Sequence, residues 1–144
     1  MKHRQFISKL DHPRIEAAIR AAELKTSGEI CVVIHRQPVA DAVAVAQAEF
    51  VRRGMKKTRH RNAVLIFVAP VSQSFAVIGD EAVHAKCGDV FWQELAATLS
   101  AHFKDGRFTE GLVQGVERAG SLLARHFPRD PDDKNELPDQ VVTL

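Results

Sequence analysis

Apolar residues fall into two kinds of run along this chain. Asn62–Ala69, NAVLIFVA, is almost unbroken, too short to cross a bilayer, and rich in Val, Ile and Phe. Such a run predicts a strand covered on both faces, the centre of an α/β sheet. Residues 70–74, PVSQS, carry turn chemistry. The apolar pattern resumes over Ser74–Gly79, so the two runs predict a β-hairpin closed by Gly79 and Asp80. Glu29–Arg36, EICVVIHR, is a third continuous run and predicts the first strand, ended by Gln37 and Pro38.

Between the strands the spacing changes to that of helices. Ile15, Ala18, Ile19 and Ala22 form one stripe and predict a helix over His12–Lys25, with Asp11 as N-cap and Pro13 in the first turn. Thr26, Ser27 and Gly28 stop it. Asp41–Arg53 predicts a second helix with Val43, Ala46 and Phe50 on one face, closed by Gly54. Strand, helix and strand in that order make a βαβ crossover, so the first two strands should be parallel and right-handed. Glu81–Phe103 predicts a third helix, broken near Gly88 and recapped by Asp89, with Phe91, Leu95, Leu99 and Phe103 as its stripe. The last helix should be capped by Thr109, with Phe108 and Val113 as a hydrophobic staple. Its buried face is Leu112, Val116, Ala119 and Leu123. Gly111, Gly115 and Gly120 weaken this helix intrinsically and therefore predict close packing on another helix or the sheet.

The element order is α-β-α-β-β-α-α, and the expectation is a single three-layer α/β/α sandwich with a small mixed sheet over residues 1–128. Residues 129–144 carry two basic against five acidic side chains, net −3, leaving +5 on the body. This acidic, proline-marked tail is expected to be disordered; docking through Leu137, Val141, Val142 and Leu144 is the alternative.

Composition alters little. A chain of 144 residues buries enough surface to need no disulfide or metal. Cys31 and Cys87 sit in apolar patterns and are expected to be buried free thiols. The basic N-terminus has no apolar run behind it, so no secretory signal is expected, and no segment is long enough for a membrane span. The expected location is cytoplasmic. Met55–Arg61, MKKTRHR, is the most basic segment; without interleaved aromatics it argues against nucleic acid.

Topology directs attention to one end of the sheet. With the first two strands parallel and the third antiparallel, three chain ends meet there: Thr26–Glu29, Arg59–Asn62, and Gly79 with Asp80, followed by Glu81 and His84. Carboxylates favour a hard cation, and a helix N-terminus beside Arg favours phosphate. The bland reading has Asp80 capping the next helix and pairing with Arg59 or Arg61, and Glu29 as a solvated edge residue. His84 and Cys87 have ligand-like spacing, but two ligands do not make a zinc site. Phosphate-loop, dinucleotide and serine-elbow signatures are absent.

The segments TSGEICVVIHR, AQAEFVRRGM, TRHRNAVLIFVAP, FAVIGDEAVH and FKDGRFTEGLVQGV together resemble the TPM domain over about Leu10–Phe127. That family includes a thylakoid-lumen acid phosphatase, a photosystem II repair protein and an acetylcholine-receptor auxiliary protein. The resemblance implies an α/β/α sandwich, a calcium site and weak phosphatase activity in some members. Family members commonly carry Arg-Asp-Asn-Gly before the second strand; here His60, Arg61, Asn62 and Ala63 match those positions. The acidic residue has become Arg61, which reverses the charge beside Asp80. The Gly-Tyr-Gly-Leu-Glu-like segment after the third strand is altered too, to Gly79, Asp80 and Glu81.

Two functions from different classes follow. One is a non-catalytic binding module with an unidentified protein partner. The other is a weak acid phosphatase acting on phosphomonoesters. In it Asp80 and Glu29 are the catalytic carboxylates, Arg59, Arg61 and Asn62 hold the phosphate, and Asp80 and Glu81 would ligate calcium or magnesium. Weak anionic-polymer binding by residues 56–61 is a third reading. No oligomeric state follows from the sequence.

Overall fold

The computed structural model describes residues 10–129 and 141–144. In chain order the elements are α1 (His12–Glu23), β1 (Glu29–Ile34), α2 (Ala42–Arg52), a 3-10 turn (Met55–Lys57), β2 (Ala63–Ala69), β3 (Ser74–Gly79), α3 (Glu81–Lys104), α4 (Phe108–His126) and β4 (Val142–Thr143). The sheet order is β3-β2-β1-β4. β1 runs parallel to β2 and β4, and β3 runs antiparallel to β2.

The unbroken apolar runs are explained by two cores, one on each face of the sheet. Val64, Ile66 and Val68 join Ile30, Val32 and Ile34 against α1, α3 and α4. Leu65, Phe67 and Ala69 join Val33 and Ala76 against Ala46 and Phe50 of α2, with Met55 beneath. Alternate side chains of β2 therefore enter opposite cores, and all seven of its residues are buried. Each large side chain so buried stabilises by roughly 1.5–3 kcal/mol. The α/β/α sandwich is as expected.

Local chemistry fixes most boundaries. The Asp11 carboxylate accepts from Arg14 N and the Asp41 carboxylate from Ala44 N, so both early helices begin on aspartate caps. Gly88, at φ 69 and ψ −170, is non-helical and breaks α3 into two helical parts that meet at a kink, as expected. Thr109 is a correction: α4 begins at Phe108, its N-cap is Arg107, and no side chain caps it. The Thr109 hydroxyl instead accepts from the Asp11 N–H at 3.1 Å, a donor 98 positions away in sequence. With the start shifted, the staple is not made either. The Phe108 ring lies 5.8 Å from that of Phe103.

The α4 glycines lie where neighbours come closest. A Cβ at Gly111 would meet His102 and Phe103, at Gly115 Leu99, and at Gly120 Ala22 of α1. Both cysteines are half-buried thiols: Cys31 packs against the α2 core, and Cys87 packs against the opposite core beside the α3 kink.

Residues 141–144 differ from the expected disorder. Val142 and Thr143 pair in parallel with Val33 and Ile34. Val141 is buried with the α1 core, and Leu144 packs against the α2 core. The remaining tail, including Leu137, lies outside the described residues. Among the described residues no helix is long and apolar enough to cross a membrane.

Candidate functional site

Parallel pairing starts β1 and β2 at the same end of the sheet, and the antiparallel β3 finishes there. Glu29 registers with Ala63, and Gly79 with Val64. Asp80 then leaves β3 by donating its N–H to Ala63 O at 3.0 Å, and becomes the N-cap of α3. Its carboxylate is 4% exposed and accepts from Glu81 N at 2.8 Å. The three chain ends expected at this edge do meet.

Arg61 reaches the same spot from the other side. Its backbone stands at φ +53, a left-handed conformation uncommon outside glycine and asparagine. The backbone on both sides of it is pinned: Arg61 N donates to Thr58 O at 3.3 Å, and Ala82 N donates to Arg61 O at 3.1 Å. So held, the guanidinium donates Nε to Asp80 Oδ2 at 2.7 Å and Nη2 to Oδ1 at 2.8 Å. Nη1 lies 3.4 Å from Glu81 Oε1. The fork engages both oxygens of the carboxylate, the geometry in which arginine binds carboxylates most specifically.

Burial alone pushes the Asp80 carboxyl up. Hydrogen bonds from Arg61 and the Glu81 N–H, with the charges of Arg61 and Lys56, outweigh burial and hold it below the usual value of 3.8. A carboxyl lowered in the fold contributes stability above its unfolded pKa and loses it as pH falls through the folded one. Asp80→Asn should therefore have a lower Tm than wild type at pH 7. The gap should close as pH falls below about 4, measured by thermal melts across pH. A gap that is constant with pH would show that the carboxylate charge does not matter here.

The other expected site residues are placed as follows. Asn62 is buried, and its Nδ2 donates to Ser27 Oγ at 3.1 Å, tying the starts of β1 and β2 together. Arg59 and Glu81 are exposed. Glu29 is 3% exposed rather than solvated, because it begins a strand already covered on its α2 face. It flanks Ala63 from the β1 side while Asp80 flanks it from the β3 side. Two strand spacings, roughly 10 Å, therefore separate their backbones. His84 is exposed and stacks on Trp92, ring centroids 4.7 Å apart, while burial pushes the Cys87 thiol up.

The calcium site implied by the resemblance does not fit these residues. Both oxygens of Asp80 are engaged by Arg61, and Glu81 is exposed. Among the described residues no three His, Cys, Asp or Glu side chains converge on one point. A cavity of about 390 Å³ lies at the far end of the sheet, bounded by Pro70, Ser74, Phe75, Ser100, Phe103 and Phe108. None of its described lining residues is a carboxylate, so it is not part of this edge.

Sequence reasoning missed the backbone at Arg61, since arginine carries no left-handed signal as Gly or Asn would. It also missed Lys56, whose charge reaches Asp80. Glu23 was missed as well: its buried carboxylate accepts from Ile30 N at 3.0 Å on the outer edge of β1.

Comparison with known proteins adds two findings. A family model described as the TPM domain matches residues 1–122. Among solved structures, the NMR structure of BA42 protein from the psychrophilic bacteria Bizionia argentinensis sp. nov. is similar. It is 37% identical, covers 92% of this chain and 92% of its own, and superposes with a TM-score of 0.87. No curated protein matches the chain significantly.

Proposed function

The chain belongs to the TPM domain family, and from that premise we propose that it is a non-catalytic member acting by binding a protein partner. One observation carries this reading, the two-pronged Arg61–Asp80 pair. A carboxylate that attacks phosphorus or ligates a cation must present a free oxygen lone pair to it. Asp80 Oδ1 takes two donors, from Arg61 and from Glu81 N, and Oδ2 takes a third from Arg61. Three of the carboxylate's roughly four lone-pair sites are thus taken, and a cation approaching the fourth meets the positive guanidinium. Glu29 starts β1 on the other side of Ala63, about two strand spacings from Asp80.

A weak acid phosphatase is the second reading. It is favoured by the gathering of Asp80, Arg61 and Lys56 at the N-terminus of α3, an arrangement that attracts phosphate. Binding of an anionic polymer by the basic loop is weakened by Arg61, which faces Asp80 and leaves Lys56, Lys57 and Arg59 exposed.

The test is hydrolysis of p-nitrophenyl phosphate at pH 5 and pH 7.5, in calcium, magnesium or chelator, by wild type and Asp80→Asn. We expect background turnover in every condition, equal in the two proteins. Turnover that survives purification and collapses in Asp80→Asn would overturn the non-catalytic reading and put the chemistry at this edge.

A further inference from the structure

The far edge of the sheet is closed by residues 141–144 of the chain itself. The outer side of β1 is covered in three pieces. At its start, Ser27 N donates to Phe127 O at 2.9 Å, and Thr26 bridges Pro128. Next, the Glu23 carboxylate takes Ile30 N. Only the last part is covered by a strand. Leu144 N donates to Ile34 O at 2.7 Å, Arg36 N donates to Leu144 O at 3.2 Å, and Arg36 Nε donates to the same carbonyl at 2.8 Å. Val141 N donates to Glu16 Oε2 of α1 at 2.9 Å.

These are the elements of strand addition: main-chain bonds to an open edge, with side chains entering alternate sides. Val141 enters the α1 core, and Val142 and Leu144 enter the α2 core. Yet the ladder is only two residues long, Val142 and Thr143, and such short pairings are the first to open. The segment leading into it, residues 130–140, is acidic in sequence. At the lead-in end the edge offers exposed Arg20, one turn along α1 from Glu16, and at the far end exposed Arg36 holds the Leu144 carbonyl.

We propose that the outer edge of β1 over Val32–Arg36 is a docking groove for an extended partner segment. That segment has an acidic lead followed by β-branched apolar residues, and it enters by displacing the chain's own Val141–Leu144. The proposal rests on the reading of the domain as a binding module and names the partner's chemistry. The internal segment competes at an effective concentration in the millimolar range, so a free segment binds weakly until the internal one is released.

A labelled peptide of residues 136–144, ELPDQVVTL, is the probe. It is titrated by fluorescence anisotropy into the full chain and into a chain ending at Gln140 whose circular dichroism shows it folded. We expect at least about tenfold tighter binding to the shortened chain, and weaker binding again when Arg36→Ala is added. No binding to the folded shortened chain overturns the proposal. If shortening prevents folding, amide exchange in the full chain decides. Leu144 and Arg36 amides should exchange about a hundredfold faster than those of Val64–Val68. Equal protection would make the segment a fixed part of the core and overturn the proposal. Phosphomonoester turnover is read on the same samples. Turnover would remove the non-catalytic reading while leaving the groove standing, and absent peptide binding would do the reverse.

Discussion

Gly120→Val is expected to lower stability by about 3 kcal/mol, at the upper end of what overpacking a closed core costs. For a domain of this size that is a fall in Tm of roughly 10 °C. The reason is local and rigid. A Cβ at Gly120 would stand 2.6 Å from Ala22 Cβ and 3.3 Å from Ala22 Cα. The obstacle is the backbone of α1 and not the end of a flexible side chain, so no rotamer change relieves it. α1 would have to lift from α4, opening the contact made by Ile15 and Ile19 with the buried face of α4. Gly120→Ala should cost less, because alanine returns up to about 1 kcal/mol of helix propensity. A double-mutant cycle isolates the contact: Ala22→Gly alone destabilises, but combined with Gly120→Ala it should recover part of the loss, with a coupling above about 0.5 kcal/mol. Strict additivity in urea melts would mean that α1 and α4 are not fixed against each other at this point.

The same contact shows why some of the fold was legible in the sequence and some was not. Three glycines in one helix announce close approach, because their cost in helix propensity must be offset by packing; they do not say against what. The strands were legible because a strand covered on both faces leaves a continuous apolar run, as β2 does over Ala63–Ala69. The aspartate caps at Asp11 and Asp41 were legible because cap and helix are neighbours in sequence. Thr109 was misread for the converse reason: its partner, Asp11 N, belongs to another helix. β4 was underrated because two residues after an acidic stretch make a weak strand signal. What holds them is Arg36, Ile34 and Glu16, none of them near in sequence.

At the Asp80 edge the chain ends were brought together by topology alone, and a pairing of Asp80 with arginine was one of the readings. The left-handed backbone that aims Arg61 at both carboxylate oxygens had no sequence signal. The chain thus keeps an uncommon backbone conformation at the one position that sets the charge of the site. Strain of this kind persists only where its surroundings hold it; here the bonds to Thr58 O and from Ala82 N do so.

Arg61→Asp is the second large effect, and it is expected to create a cation site at this edge. Asp80, Glu81 and Arg61 together carry net charge −1; with aspartate at 61 the same three positions carry −3. The backbone favours the exchange, since aspartate tolerates φ near +53 better than arginine does. In chelator the variant should melt below wild type, because the paired guanidinium is replaced by a third carboxylate and only the charge of Lys56 remains to offset the three. Added calcium should reverse the loss and raise Tm progressively, with a dissociation constant on the order of 10⁻³ M, as for weak oxygen-ligand sites. Wild type should show no calcium-dependent shift over the same range. Arg61→Asn is the control, since it keeps the backbone preference and removes the positive charge without adding a negative one, and it should respond only weakly. If Arg61→Asp melts identically in calcium and in chelator, the guanidinium is not what bars a cation from Asp80, and the charge argument for a non-catalytic domain fails with it.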